Sequence, residues 1–328
     1  MITSANRTVR CARRAILGMV TVLLTACSST AAPITSATPS KALAGLTGHI
    51  LFTRAGGSYG DETLFVAKAA GTDEYQLGGL GQTCCPWATR DGSRIVYSAN
   101  AQGGRVTAVA ANLDGSQRVV LPLPKGTLSL AAGPLSPDGT LVALEGFDDA
   151  NPSEAGIYVE RASDGTDRTR VTKAHFIPGD FSPDGKQLLL FQNANGEPPP
   201  PGSLWLVNVD GSGLHQLTPT AATVQCCFNY RWSPDGTKIL FADPNGKLWS
   251  IAPDGSKLTN VFKDADGRYA ITPTWSPDGS MIMFALDPTP DPFAHPANGM
   301  YVSRADGSGL TQVLGSDDFK REPVWVSG

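Results

Sequence analysis

The stretch Trp275-Ser276-Pro277-Asp278-Gly279 is one copy of a phrase that recurs along the chain. Each full copy reads as a bulky residue followed by Ser-Pro-Asp-Gly. The other full copies begin at Leu135, Phe181 and Trp232, a degenerate copy spans Ala88–Gly92, and a truncated copy is Trp325–Gly328. The aspartates at positions 91, 138, 184, 235 and 278 are 47, 46, 51 and 43 residues apart. A period in the forties with strand-like content predicts a stacked or radial array.

A second turn signal, Asp-Gly, accompanies each copy of the phrase. These pairs begin at Asp114, Asp164, Asp210, Asp254 and Asp306. Asp-Gly between apolar runs favours a hairpin, because glycine adopts the positive φ that a tight turn needs. Short alternating runs, such as Lys238–Ala242 and Leu204–Asn208, lie between the turns and indicate half-buried strands. One repeat therefore predicts four antiparallel strands, which is a propeller blade.

The ends of the chain decide the number of blades. Five complete intervals run from residue 84 to about residue 319. Strand-like runs at His49–Arg54, Thr63–Lys68 and Glu74–Leu77 remain near the N-terminus, and Glu322–Trp325 remains at the C-terminus. Joining them in one blade removes the exposed strand edges of an open array. The sequence predicts an all-β, six-bladed propeller over residues 48–328, closed by both termini.

The phrase with its preceding proline, Pro273–Gly279, resembles the TolB-like propeller repeat, as does Tyr230–Gly236. The resemblance covers residues from about 48 to 328, and its motifs are specific for fold rather than for function. TolB itself carries an α/β domain ahead of its propeller. The sequence shows no such segment, so the partners of that family are not transferred to this chain.

The first 26 residues have the pattern of an export signal. Arg7, Arg10, Arg13 and Arg14 precede an apolar run at 15–25 that is too short to span a bilayer comfortably. The run ends in Leu-Thr-Ala-Cys27, which resembles the lipobox of bacterial lipoproteins; the resemblance implies that Cys27 is lipidated. The alternative is an ordinary signal with an incidental cysteine. Residues 27–47, rich in Ser, Thr, Ala and Pro, are predicted to be a flexible tether.

The charge balance excludes one class of partner. Removing residues 1–26 removes four arginines and no acid, which leaves 22 basic against 30 acidic residues and a net charge of −8. This net negative charge argues against binding nucleic acid, and against binding an anionic membrane through charge. Membrane contact is expected only through the lipid on Cys27.

Two vicinal cysteine pairs, Cys84-Cys85 and Cys226-Cys227, precede the predicted innermost strands of the first and fourth blades. These blades are opposite in a ring of six, so a disulfide between the pairs would exceed the Cα separation of about 7 Å that such bonds allow. Export favours oxidation. The leading hypothesis is two vicinal disulfides. Free thiols and a four-cysteine metal site are the alternatives.

The links that enter innermost strands share one face of a propeller with the links between second and third strands. Long loops on a rigid scaffold commonly carry binding residues. The candidates that we expect on this face are Asp148, Asp149, Glu154, Glu197, Tyr230, Arg268, Tyr269, Asp287, Asp291, Phe293, His295 and Phe319.

Catalytic signals are weak. The four histidines fall in different repeats without metal-ligand spacing, and no catalytic or metal-binding residue is assigned. Asp264-Ala265-Asp266-Gly267 faintly resembles the start of a calcium loop but lacks its terminal acid. No cofactor is otherwise expected.

We therefore predict a monomeric, lipid-anchored, extracytoplasmic protein of the cell envelope. It would bind a protein, a peptide or a small molecule at the propeller mouth. A lactonase- or lyase-type propeller enzyme with a metal at the mouth, and a structural component of an envelope complex, are the alternatives, since propeller folds host unrelated functions.

Overall fold

The fold is described from a computed structural model. The structure describes residues 43, 45–55, 62–77, 83–193, 202–220, 222–225, 229–289, 298–315 and 318–328. None of the helices within these ranges has the length and apolar character needed to cross a bilayer. The predicted signal segment, Cys27 and most of the tether lie outside the described residues.

The described residues contain 24 strands. The first three are β1 (His49–Ala55), β2 (Thr63–Lys68) and β3 (Tyr75–Gln76). Blade 1 consists of β4 (Thr83–Ala88), β5 (Ile95–Asn100), β6 (Val106–Ala111) and β7 (Val119–Val120). Blade 2 consists of β8 (Ser129–Leu135), β9 (Leu141–Phe147), β10 (Gly156–Arg161) and β11 (Thr169–Arg170). Blade 3 consists of β12 (Ile177–Phe181), β13 (Gln187–Asn193), β14 (Gly202–Asn208) and β15 (His215–Gln216).

Blade 4 consists of β16 (Arg231–Trp232), β17 (Ile239–Ala242), β18 (Leu248–Ile251) and β19 (Thr259–Phe262). Blade 5 consists of β20 (Tyr269–Trp275), β21 (Met281–Asp287), β22 (Gly299–Arg304) and β23 (Thr311–Leu314). The last strand is β24 (Phe319–Val326), and single 3₁₀ turns lie at Gln102–Gly104 and Pro152–Glu154. Blade 6 joins β24 to β1, β2 and β3.

The predicted six-bladed propeller is confirmed: six antiparallel sheets of four strands form the described structure. The innermost strands β4, β8, β12, β16, β20 and β24 neighbour one another in this order, and β24 returns to β4. They surround a central axis, here called the channel axis. Apolar side chains fill the spaces between blades, as where Leu189 and Phe191 of blade 3 meet Trp232 and Phe241 of blade 4.

The ring is closed by pairing between the two ends of the described chain. His49 pairs with Val326, Ile50 with Trp325 and Leu51 with Val324, as the sequence predicts. The pairing continues to Ala55 and Phe319, so β24 begins before the predicted strand-like run Glu322–Trp325. The Trp325 indole N–H donates to the Thr47 carbonyl at 2.9 Å. Leu43 and Leu46 pack in the same cluster as Trp325, so packing extends ahead of residue 48.

Each Ser-Pro-Asp-Gly phrase forms the same hydrogen-bonded hairpin. In blade 2 the Ser136 hydroxyl donates to Asp138 Oδ1 at 2.6 Å and accepts the Leu141 N–H at 2.9 Å. The Asp138 carboxylate also accepts the Thr140 N–H. The Ser136 hydroxyl and the Thr140 N–H lower the pKa of Asp138. Serine and aspartate recur because together they satisfy the backbone groups that the turn leaves open.

The glycine of the phrase adopts the backbone conformation predicted for it. Gly236 has a φ of 72° and Gly279 a φ of 73°. An L-residue with a Cβ rarely adopts this left-handed conformation. Proline at the preceding turn position fixes the φ of a type I turn. The phrase therefore specifies the turn locally, independently of the blade that contains it.

These turns and those between third and fourth strands define the hairpin face. The opposite face, where innermost strands begin and second strands connect to third strands, is called the mouth.

We predict that deletion of residues 321–328 opens the ring. Loss of the buried Trp325 side chain alone is expected to cost about 3–5 kcal/mol of the free energy of unfolding, and the lost strand pairing adds to this. Urea unfolding of the truncated and complete chains measures the difference, with deletion of Gly328 alone as the control. An unchanged unfolding midpoint in the longer truncation would contradict the closure.

Candidate functional site

The innermost strands carry bulges just below the mouth. Register shifts interrupt the pairing of β4 at Cys84–Trp87, of β20 at Ile271–Thr274 and of β24 between Arg321 and Val324. Cys85, Thr272 and Glu322 stand at equivalent positions, each before a proline, with φ values of 61°, 50° and 56°. Non-glycine residues with a positive φ have a strained backbone, and such strain is commonly found at functional sites.

The first cysteine pair does not lie where the sequence analysis put it. Cys84 and Cys85 are inside β4, at its bulge, rather than ahead of the strand. The Cys85 N–H donates to Glu322 Oε2 of blade 6 at 3.1 Å. Cys226 and Cys227 lie outside the described residues, and the two vicinal disulfides stay a prediction.

A buried charged cluster occupies the mouth at blade 6. The Arg321 guanidinium forms an ion pair with Glu62, which precedes β2, and lies 3.7 Å from Glu322 Oε1. It also lies over the Phe319 ring at 5.6 Å. Burial raises the pKa of Glu62, while Arg321 opposes that shift. The sequence analysis missed Arg321 and Glu62; the signal was the charged run Lys320-Arg321-Glu322 beside a predicted innermost strand.

Asp287, a predicted site residue, extends this cluster from blade 5. It is the last residue of β21, only 1% exposed, and the Asn298 side-chain amide donates to its carboxylate. Burial raises the pKa of Asp287 to about 6, although Asn298 and Arg321 both favour the ionised form. A buried acid with a shifted pKa at the end of a strand is typical of a functional position.

The predicted acids of blade 2 lie on the same face but form no cluster with Asp287. Asp148 is buried and its carboxylate accepts the Thr127 hydroxyl at 2.6 Å and the N–H groups of Ala150 and Asn151. It therefore organises its own loop. Asp149 and Glu154 are exposed on that loop.

Arg268 is held at the entrance to blade 5. Its Nε and Nη2 donate to the two Asp264 carboxylate oxygens at 3.0 and 2.9 Å, and Nη1 donates to the Tyr301 hydroxyl at 3.1 Å. The Asp264 carboxylate, which begins the calcium-like stretch, is thus bonded to a guanidinium. Tyr269 is the first residue of β20 and is half-buried. Among the described His, Cys, Asp and Glu side chains, no group of three is arranged to hold a metal ion.

Two aromatic candidates are inside the protein rather than on the mouth surface. Tyr230 is 2% exposed, stacks on Phe191 with ring centroids 5.1 Å apart, and donates its hydroxyl to the Gln225 carbonyl. Phe319 is also buried. Tyr230 immediately precedes β16, whereas Phe319 is the first residue of β24, and both side chains pack into the core. Glu197, Asp291, Phe293 and His295 lie outside the described residues.

A pair that the sequence analysis missed joins blades 2 and 3 near the mouth. His175 Nε2 lies 3.1 Å from Glu145 Oε1. Burial lowers the pKa of His175, but the Glu145 carboxylate outweighs this effect and the net shift is upward. The signal was a glutamate within the otherwise apolar strand Leu141–Phe147.

Two arginines cross the channel axis. Arg90 of blade 1 donates from Nη1 to the Pro234 carbonyl of blade 4 at 3.0 Å. In the other direction, Arg231 of blade 4 places its guanidinium 3.9 Å from the centroid of the Trp87 ring of blade 1. Contacts between opposite blades of a six-membered ring must pass through its centre. The channel is therefore occupied on its hairpin side by these side chains.

The residues around Arg231 are charged and largely buried. Asp180 of blade 3 accepts the Trp232 N–H at 2.9 Å, and burial raises its pKa against the opposing effect of Arg231 and Arg90. Burial lowers the pKa of Arg231 to about 10, so the guanidinium remains charged at neutral pH. Trp87, Asp180 and Arg231 each stand immediately before the first residue of the phrase in their repeat, which is Ala88 in the degenerate copy.

The closed ring of four-stranded blades is a six-bladed propeller, and polar groups lie together at its mouth and axis. A family model described as the TolB beta propeller domain matches residues 63–327. Because this segment includes most of the sequence, the chain belongs to the TolB β-propeller family. None of the curated protein sequences compared with it matches significantly.

Several solved structures share the fold. The chain is similar to TolB from Acinetobacter baumannii, with a TM-score of 0.66 and 19% identity over 86% of this chain and 67% of that chain. It is similar to a putative TolB from Agrobacterium tumefaciens, with a TM-score of 0.60 and 18% identity over 84% of this chain and 97% of that chain. Hydrazine synthase from Kuenenia stuttgartiensis matches with a TM-score of 0.60 and 14% identity, over 86% of this chain and 47% of that chain. At these identities the likeness shows the fold.

The shifted pKa of Asp287 predicts a pH-dependent stability. Between about pH 4 and pH 6 the folded protein binds a proton at Asp287 that the unfolded chain releases, so this contribution to stability is lost as the pH rises through about 6. Asp287→Asn mimics the neutral acid. It is expected to raise the free energy of unfolding at pH 7 by about 3 kcal/mol relative to the wild type, the equivalent of the shift in pKa.

Unfolding by urea at several pH values between 4 and 8 measures this difference. Asp149→Asn, at an exposed carboxylate on the same face, is the matched control and should leave the pH dependence unchanged. Parallel curves for the wild type and Asp287→Asn would show that burial does not shift the pKa of Asp287.

Proposed function

We propose that this protein is a lipid-anchored, extracytoplasmic binding protein of the cell envelope that takes its partner at the propeller mouth. The observation that carries the proposal is the contrast between the two faces. On the hairpin face, the acids of the repeated turns are bonded within their own turns, as Asp138, Asp184, Asp235 and Asp278 are. The hairpin side of the axis is crossed by Arg90.

The mouth differs because its buried charges belong to different blades and strands. Glu62, Asp287 and Arg321 come from three separate segments, and the bulged residues beside them are strained. Polar groups that a fold keeps buried at a cost in free energy, on a rigid ring, are suited to recognising a ligand. Loops between second and third strands, such as that bearing Asp149 and Glu154, would add contacts at the rim.

Site-specific photocrosslinking in the intact envelope tests the use of this face. A benzophenone amino acid at exposed Asp149 or Glu154 reports on the mouth, and one at exposed Asp164 or Asp254 reports on the hairpin face. We expect a discrete crosslinked species from the mouth positions alone, because the partner would dock there. Crosslinking from the hairpin positions only, or from none of the four, would contradict the proposal.

The proposed anchor has its own test. Cys27→Ala is expected to abolish lipoprotein processing, because the thiol that receives the lipid is missing. Two or more acyl chains anchor a protein durably, since each buried CH₂ contributes about 0.8 kcal/mol. Partitioning between detergent and aqueous phases measures the change, and Cys11→Ala is the matched control. If wild type and Cys27→Ala both enter the aqueous phase, Cys27 carries no lipid.

A further inference from the structure

The Arg231 guanidinium at the channel axis is incompletely bonded. The residue is 7% exposed, and Nη1 donates to the Gly179 carbonyl at a long 3.4 Å. One face of the guanidinium covers the Trp87 ring. Nε and Nη2 are buried and have no hydrogen-bond partner among the described residues.

Such an arrangement is costly without a further partner. A buried donor that forms no hydrogen bond costs about 1–3 kcal/mol, and the cost is greater for a charged group. Arg231 retains its charge at neutral pH, because its pKa falls only to about 10. The two open donors therefore favour an occupant that accepts two hydrogen bonds and carries negative charge.

Arg268 of the same chain shows which occupant fits. Its Nε and Nη2 bind the two oxygens of Asp264 at 3.0 and 2.9 Å, while the guanidinium lies 5.2 Å from the centroid of the Tyr301 ring. The Arg231 guanidinium also contacts an aromatic ring, at 3.9 Å from the Trp87 centroid, and its corresponding Nε–Nη2 edge is buried without a hydrogen-bond partner among the described residues. That edge matches the spacing of carboxylate oxygens, which is why arginine binds carboxylates through two parallel hydrogen bonds.

The charges around Arg231 come from Arg90, Asp180 and Glu322. The cluster thus contains two basic and two acidic side chains, so positive charge alone would not select a ligand. Selection would instead come from the two-point geometry of the open edge. Since Arg90 crosses the axis on the hairpin side, a ligand would reach Arg231 from the mouth.

We propose that Arg231 binds the carboxylate of a ligand that enters the channel from the mouth, through its Nε–Nη2 edge. The ligand is a small organic acid or the C-terminal carboxylate of a peptide. This inference rests on the proposed use of the mouth as the binding face and adds a chemical class of ligand and the residue that recognises it.

The arginine Nε–Hε resonances of the full chain test the proposal by NMR. The Arg231 resonance is assigned by its absence from Arg231→Lys. Sodium formate is titrated against sodium chloride at equal ionic strength. We expect a saturable shift of the Arg231 resonance with formate and none with chloride. Arg161→Lys is the matched control, because its Nε donates to Asp167 on the hairpin face, and it should leave the formate affinity unchanged.

Calorimetric titration with formate supplies an independent measurement. Arg231→Lys keeps the charge but loses the two-point edge, so its affinity is expected to fall at least about tenfold. A wild-type resonance that does not saturate, or that shifts equally with chloride, overturns the proposal. If Arg231→Lys does not fold, Arg231→Gln supplies the assignment, and it is likewise expected to lose saturable formate binding because it lacks the guanidinium edge.

Two further probes distinguish the sources of the carboxylate. Tri-alanine with a free C-terminus is compared with tri-alanine amide. Saturable binding of the acid but not of the amide supports a peptide C-terminus, and binding of formate alone supports a small organic acid. Binding of neither, or equal binding of the amide, overturns the proposal. A failure here with crosslinks still formed at the mouth would remove the carboxylate site and leave the proposed function standing.

Discussion

The pairing of β1 with β24 is the constraint on which the channel depends. Without it, the blades would form an open array, and residues of blade 1 would have no fixed relation to those of blade 4. With the ring closed, Arg90 meets the Pro234 carbonyl and Arg231 meets the Trp87 ring, although more than a hundred residues separate each pair. A pairing made by the chain ends thus fixes the chemistry of the axis.

The two faces of the ring satisfy their polar groups in different ways. On the hairpin face, Ser136 and Asp138 satisfy the turn that they form, and the other full repeats do the same. Such turns are insensitive to their neighbours. At the mouth, Arg321 depends on Glu62 from the other end of the propeller, and Asp287 depends on Asn298, which immediately precedes the next strand. The turns of the hairpin face can therefore repeat from blade to blade without change. At the mouth, the contacts between segments differ from one blade to the next.

The same distinction explains how far the sequence predicts the structure. The period, the hairpins and the closure follow from local signals, and Gly236 and Gly279 adopt the predicted φ. Lys320 and Arg321 at the start of β24 were not predicted as part of the strand, and such residues are unfavourable in a buried strand without partners. Their partners, Asp318 and Glu62, are visible only in the fold. Tyr230 was predicted at the mouth, but its ring is buried against Phe191, because packing in the fold and not a local sequence pattern sets the direction of that side chain.

Departures from the repeat mark the residues that meet at the axis. Arg90 stands where the four full copies have proline, and its side chain reaches the opposite blade. The position before the first residue of the phrase holds six different side chains, namely Trp87, Pro134, Asp180, Arg231, Thr274 and Val324. Of these six, Trp87, Asp180 and Arg231 interact with one another near the axis. A single site on the axis needs different groups at equivalent positions of the blades. Here the Arg231 cation stacks on Trp87 beside the buried Asp180, which one residue type repeated in all six blades could not provide.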